Sequence, residues 1–291
     1  MGHLVSYAPL MSSKSSLIAV AILLFARTVG GQAAVPGSTP TGIAVGLLQT
    51  AGPGWDSASS HHFLVYAERG ERPRYDIRAL IDSLETAWRD GLAILESPEL
   101  DLPRITVLVT RSRHRFGPTM SPTNKGIAIA AESDGETILL VHNDSVRLYA
   151  RHEVMHTLSR RAWGSSQHWW VMEGIAVVAD GRCLGSSSMA LARDLLRAKP
   201  DLTTGEFAKS FRAMVREDLA GAYGLAGSLV SFLLARGGVP LVRQAWALGA
   251  DPLDLPATSD LTRTNWRTYV ESATVGQPSI RPDSLARFGC G

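Results

Sequence analysis

The sequence predicts an α+β protein, with a small N-terminal mixed sheet and one helix ahead of a mainly helical half. Three observations carry that reading. Before residue 142, short β-branched and aliphatic runs alternate with turn signals. From residue 188 onward, apolar residues recur at helical spacing almost without a break. Between the two regions stands His152-Glu153-Val154-Met155-His156, whose histidines share one face only if the segment is a helix. At 291 residues, 45% hydrophobic and 19% charged, the chain has material for one large or two small domains and is not a candidate for disorder. A net charge of +2 is too weak to argue for a nucleic-acid partner, and the densest basic cluster, Arg111, Arg113, His114 and Arg115, reads as a solvated loop.

The N-terminus carries Lys14, an unbroken apolar run over 17–26, and small residues at Gly30, Gly31, Ala33 and Ala34, which is the layout of a secretory signal peptide. That apolar run is well short of the about 20 residues a helix needs to cross a bilayer, so cleavage near Ala33 is expected. Residues 1–33 are thus read as a signal peptide, the mature protein as secreted or periplasmic, and no stable membrane span is expected after cleavage. An uncleaved membrane anchor is the alternative, because residues 4–11 are also fairly apolar. Residues 34–60, rich in Gly, Pro, Ser and Thr, read as a flexible linker.

The domain itself is expected over 61–272. Residues 62–66 read as a strand, with His61 and His62 as its lead-in and not a ligand pair. A helix over 76–95 follows, with Ile77, Leu80, Ile81, Leu84, Trp88 and Leu92 on one face. Strands are expected at 103–109, 126–130 and 137–141, the last two joined through Ser133-Asp134-Gly135. The motif helix has N-caps available at Asn143 and Asp144, apolar Val146, Leu148, Tyr149 and Leu158 at helical spacing, and Gly164 to end it. A short polar connection, Ser165, Ser166 and Gln167, leads into a second apolar helix that stops at Asp180-Gly181, and helices joined so closely pack antiparallel. Further helices are expected at 188–198, 204–214, 220–235, 239–248 and around 266–270, before a C-terminal tail over 273–291. The two cysteines, Cys183 and Cys290, either pair in an exported protein or stay as buried thiols, and neither has metal-ligand spacing.

The chemistry is concentrated in the two adjacent helices. His152 and His156 can reach one metal ion, and Glu153, a step round the helix, can face a metal-activated water without ligating the ion. Glu173, in Trp169-Trp170-Val171-Met172-Glu173-Gly174-Ile175-Ala176, can complete a three-ligand zinc site with an open fourth position. A carboxylate among so many apolar neighbours is costly to bury without a cation. Small Gly174 and Ala176 would let the second helix approach the first.

These segments resemble the gluzincin metallopeptidases, specifically the peptidase MA-like group. The likeness extends from the two histidines and the Trp-rich Glu-Gly-x-Ala segment to Leu202-Thr203-Thr204-Gly205-Glu206-Phe207 with Ser210-Phe211, then residues 223–234 with Gly237-Gly238, then Trp266-Arg267-Thr268-Tyr269-Val270, and covers about residues 62–272. It implies a zincin-like fold, one zinc ion per chain on His152, His156 and Glu173, and Glu153 as general base toward a zinc-activated water that attacks a peptide bond. It also implies a phenol near the oxyanion, for which Tyr223 is the candidate. Tyr223 equally fits a core position beside Ala226, Gly227 and Val230, and His168 competes for the donor role. One departure matters: thermolysin-like members place an aspartate four residues after the glutamate ligand, and here that position is Val177, leaving Asp180 or a backbone carbonyl to orient a ligand histidine.

Peptide or protein substrates are therefore expected. Residues 126–131, small and alternating, are a candidate sheet edge for an extended substrate, and Trp169 and Trp170 either line a pocket or belong to the core. Two other functions fit the same residues: a non-catalytic zincin-fold binding or scaffold module, against which the intact Glu153 argues, and a zinc hydrolase of a non-peptide amide.

Overall fold

Period-two apolar runs place alternate side chains on opposite faces of a sheet, and here both faces find a cover. A computed structural model describes residues 43–50, 54–69, 76–99, 102–116, 131–133, 136–142, 150–166, 168–181, 186–248 and 263–273, all in the unit spanning residues 35–291. The chain runs α1 (Ile43–Thr50), β1 (Trp55–Ser59), β2 (Phe63–Glu68), α2 (Ile77–Ile94), β3 (Ile105–Thr110), β4 (Ala131–Ser133) and β5 (Thr137–Val141). It continues as α3 (Ala150–Trp163), α4 (Trp169–Asp180), α5 (Ser188–Ala198), α6 (Thr204–Glu217), α7 (Leu219–Leu248) and α8 (Arg263–Ser272). This is an α+β protein, a small mixed sheet followed by helices, as the sequence predicts.

The strand order is β1-β2-β3-β5-β4. β2, β3 and β5 are parallel neighbours, with Val65 opposite Val107 and Val107 opposite Ile138. The edge strands β1 and β4 run antiparallel to β2 and β5. Phe63, Val65, Ile105, Val107, Val109, Ile138 and Leu140 face the main core, shared with α2, α3 and the helical half. Leu108, Leu139 and Val141 point the other way and are covered by Ala44 and Leu47 of α1 together with Phe116.

Part of the segment 34–60, expected as a flexible linker, is regular structure, since its described residues hold α1 and β1. Neither is legible from composition, because α1 gains its stability from the sheet face it covers and β1 from pairing with β2. The expected strand at 126–130, the N-caps Asn143 and Asp144, both cysteines, the signal segment and the C-terminal tail over 274–291 lie outside the described residues.

The helices begin and end where local chemistry provides caps. Asp76 accepts the N–H groups of Arg78 and Ala79 at the start of α2, and Thr203 and Glu206 form a reciprocal capping box on α6. Gly164 and Gly181 take left-handed φ values of +80° and +73° at the ends of α3 and α4. The two helices expected at 220–235 and 239–248 run on as α7, broken at Gly238 (φ 66°, ψ −164°) ahead of Pro240. α7 is long and apolar enough to cross a membrane by length and composition. Burial against α4, α5, α6 and α8 accounts for that composition, since most of its apolar face lies in the main core.

Two arginines tie the last helices together. Arg193 of α5 donates to the carbonyls of Val270, Glu271 and Ala273 at 3.0, 3.2 and 2.6 Å, at the end of α8. Arg267 of α8 donates in return to Leu196, Lys199 and Leu202 at 3.2, 3.0 and 3.2 Å, at the end of α5. Each guanidinium thus satisfies carbonyls that the other helix leaves open.

His62 leads into β2, as expected. Its ring lies between Glu85 Oε2 at 2.6 Å and Glu99 Oε1 at 2.8 Å and stacks on Trp88 at 4.3 Å. Burial pushes the Glu85 carboxyl up, but the nearby Ser60 hydroxyl and the hydrogen bonds of His62 outweigh it and leave the group below its ordinary range.

Candidate metal centre

α3 supplies His152, Glu153 and His156, and α4 supplies Glu173. The connection between the helices is pinned to α7: Ser166 Oγ donates to the Trp246 carbonyl at 2.8 Å, and Trp246 Nε1 donates to the Gly164 carbonyl at 3.1 Å. Gly91 of α2 admits Leu158 and Met155 of α3 at close range, which seats the motif helix against α2.

The three predicted ligand atoms converge. His152 Nε2 lies 3.2 Å and His156 Nε2 3.3 Å from Glu173 Oε2, and the two Nε2 atoms are 3.0 Å apart. Four donors set tetrahedrally about an ion at about 2.0 Å stand about 3.3 Å from one another, close to this spacing. Among the described residues this is the group of His, Cys, Asp and Glu side chains that could hold a metal ion. The donor set fits one: a single carboxylate oxygen faces two imidazole nitrogens that also face each other, which a cation satisfies better than a shared proton.

The three groups interact electrostatically, and the site favours positive charge. Burial favours neutral His156, but the Glu173 charge and hydrogen bond, then the Glu153 charge, raise it to about 9. Glu173 is opposed by burial and nevertheless held well below the carboxylate range by His156 and His152. His156 Nδ1 is buried and makes no hydrogen bond.

Glu153 is 3% exposed, as is His152, but stands outside the group of three. Burial raises its carboxyl above the ordinary range, while His156 and His152 pull it back and Glu173 adds to the rise. Ser133, on the edge strand β4, approaches the Glu153 carboxylate and lowers it slightly, although its hydroxyl completes no hydrogen bond of good geometry. Sequence reading placed Ser133 in a turn; only the β4–β5 pairing brings it to the motif helix.

Tyr223 of α7 lies in the same site. Its ring stacks on His152 (centroids 6.0 Å, 15°) and leans on Phe211 at 6.1 Å. Burial first, then the nearby Glu173 and Glu153 carboxylates, push the Tyr223 phenol well above the pKa of a free phenol.

Other expected residues separate. His168 occupies the N-cap position of α4, where its side chain makes no capping bond. Trp170 is buried against Phe207, whereas Trp169 is 47% exposed. Val177 is buried and packs into the space left by Gly227 of α7, a position that has no room for an aspartate's solvation. Asp180 is raised by burial and lies within electrostatic reach of His152 and Arg151.

Gly174 corrects one expectation. It faces α7 and not α3: a Cβ there would stand 2.5 Å from Val230 Cγ2 and 2.6 Å from the Ala226 carbonyl oxygen. α7 lies that close because it is the central helix, and the glycine sets the depth at which Glu173 is held. The Gly174→Ala variant is therefore expected to lose about 1–3 kcal/mol of stability and to bind metal more weakly, measured by thermal denaturation and zinc titration. An unchanged melting midpoint would show that α4 and α7 separate at no cost.

Fold and site together define an α+β protein with a His-His-Glu cluster that could hold a metal ion. Comparison with protein-family models, curated proteins and solved structures gives no match.

Proposed function

We propose that this protein is an exported zinc-dependent metallopeptidase with a gluzincin-like site, in which His152, His156 and Glu173 hold zinc and Glu153 is the general base. The observation that carries this reading is the 3.0–3.3 Å mutual spacing of the three candidate ligand atoms, with a second carboxylate, that of buried Glu153, outside the group. Zinc on these atoms supplies a Lewis acid that polarises a carbonyl and acidifies water. Glu153 takes the proton of the attacking water and passes it to the leaving amine. Tyr223, whose phenol stays protonated, donates to the oxyanion that forms on the substrate carbonyl. Among the described residues β4 is an edge of the sheet, and it packs beside α3, a place where an extended peptide could add as a further strand. Export is supported by the apolar run at 17–26 with its small-residue flank.

The test is metal analysis of the purified protein with a peptide-library digest. About one zinc per chain and chelator-sensitive cleavage are expected. Full metal occupancy without cleavage of any peptide would replace the peptidase reading with the scaffold or the non-peptide amide hydrolase. Tyr223→Phe is expected to slow turnover by about 10² with zinc content unchanged; an unaltered rate would return the phenol to packing between His152 and Phe211.

A further inference from the structure

Trp169 is one of few large apolar side chains exposed among the described residues. It is the first residue of α4, four before Glu173, so the two share one face of the helix and stand about 6 Å apart along its axis. The Arg212 guanidinium of α6 lies 4.2 Å over the Trp169 ring. Arg212 is exposed and forms no ion pair among the described residues. Its neighbour Phe211 leans on Tyr223, which stacks on His152. Two separate routes, along α4 and through α6, thus place the Trp169–Arg212 pair beside the ligand cluster.

A guanidinium stacked on an aromatic face is fixed in orientation while its N–H edges stay open, an arrangement suited to gripping a carboxylate with two parallel hydrogen bonds. We infer that Trp169 and Arg212 form a carboxylate-binding subsite of the metal centre, which selects peptides carrying an acidic side chain or a free C-terminus two or three residues from the scissile bond. That distance follows from the offset along α4 and the rise of about 3.3 Å per residue in an extended chain. The inference rests on the peptidase reading for its substrate class, and binding tests it independently of turnover.

The experiment titrates zinc-loaded Glu153→Gln protein with fluorescent peptides that differ only as Glu against Gln at one position, or as free acid against amide at the C-terminus, read by anisotropy. The acidic member of one pair is expected to bind about tenfold more tightly, and the pair that shows the difference identifies the source of the carboxylate. Adding Arg212→Gln is expected to equalise that pair with the neutral peptide's affinity and the zinc content unchanged. Equal or undetectable binding of acidic and neutral peptides overturns the subsite, as does a preference that survives Arg212→Gln. A preference lost with Arg212, in a wild-type protein that cleaves none of the peptides, leaves the subsite standing and removes the hydrolase.

Discussion

The Glu153→Gln variant is expected to hold one zinc ion per chain and to hydrolyse peptides about 10²–10⁴-fold more slowly than wild type. The carboxylate is buried, raised by that burial, and adjacent to the ligand group without belonging to it. A glutamine of the same shape keeps the packing and can still accept a hydrogen bond, but it cannot take a proton. Metal content and rate should therefore separate: zinc by elemental analysis unchanged, kcat lowered, KM little affected. Retained turnover would remove Glu153 from the proton path. Loss of zinc together with activity would instead make the residue part of the metal site.

Glu173→Ala is expected to strip the site of its ion. Two imidazoles from one helix turn remain, and the carboxylate that draws them together at 3.2 and 3.3 Å is gone. Affinity should fall by more than the about 10–100-fold that loss of an outer partner costs, since a direct ligand is removed. Dialysed variant should carry far less than one zinc per chain. Added zinc should raise the melting midpoint of wild type, because the ion binds the folded state, and should not raise that of the variant. A variant that keeps full occupancy would move the third ligand elsewhere and undo the assignment.

Much of this site is legible in the sequence alone. The four-residue interval between His152 and His156 has a fixed meaning on a helix, and the helix signals around it were local: a glycine stop at 164, a polar connection, and a second stop at 181. Glu173 was legible because a carboxylate in an apolar run calls for a partner. The apolar periodicity of α2, α5 and α6 was readable because its information lies within a few turns of chain, whereas the capping box that starts α6 at Thr203 emerged only with the structure.

What stayed hidden depends on contacts between distant segments. α1 and β1 carry weak local preference and exist because the second face of the sheet needs Ala44 and Leu47 and because β2 needs a neighbour. Gly174 looked like a spacer toward α3, yet it is the close approach of α7 that requires it. Ser133 reaches Glu153 only through the β4–β5 pairing, and Arg212 meets Trp169 only because α6 packs against α4. By itself the sequence determined the candidate ligand residues and the helices that carry them, because helical periodicity is a short-range property. The tertiary structure alone decided which faces those helices present, what lies behind the histidines and what lines the rim, because burial and steric fit are settled by whole elements packing at once.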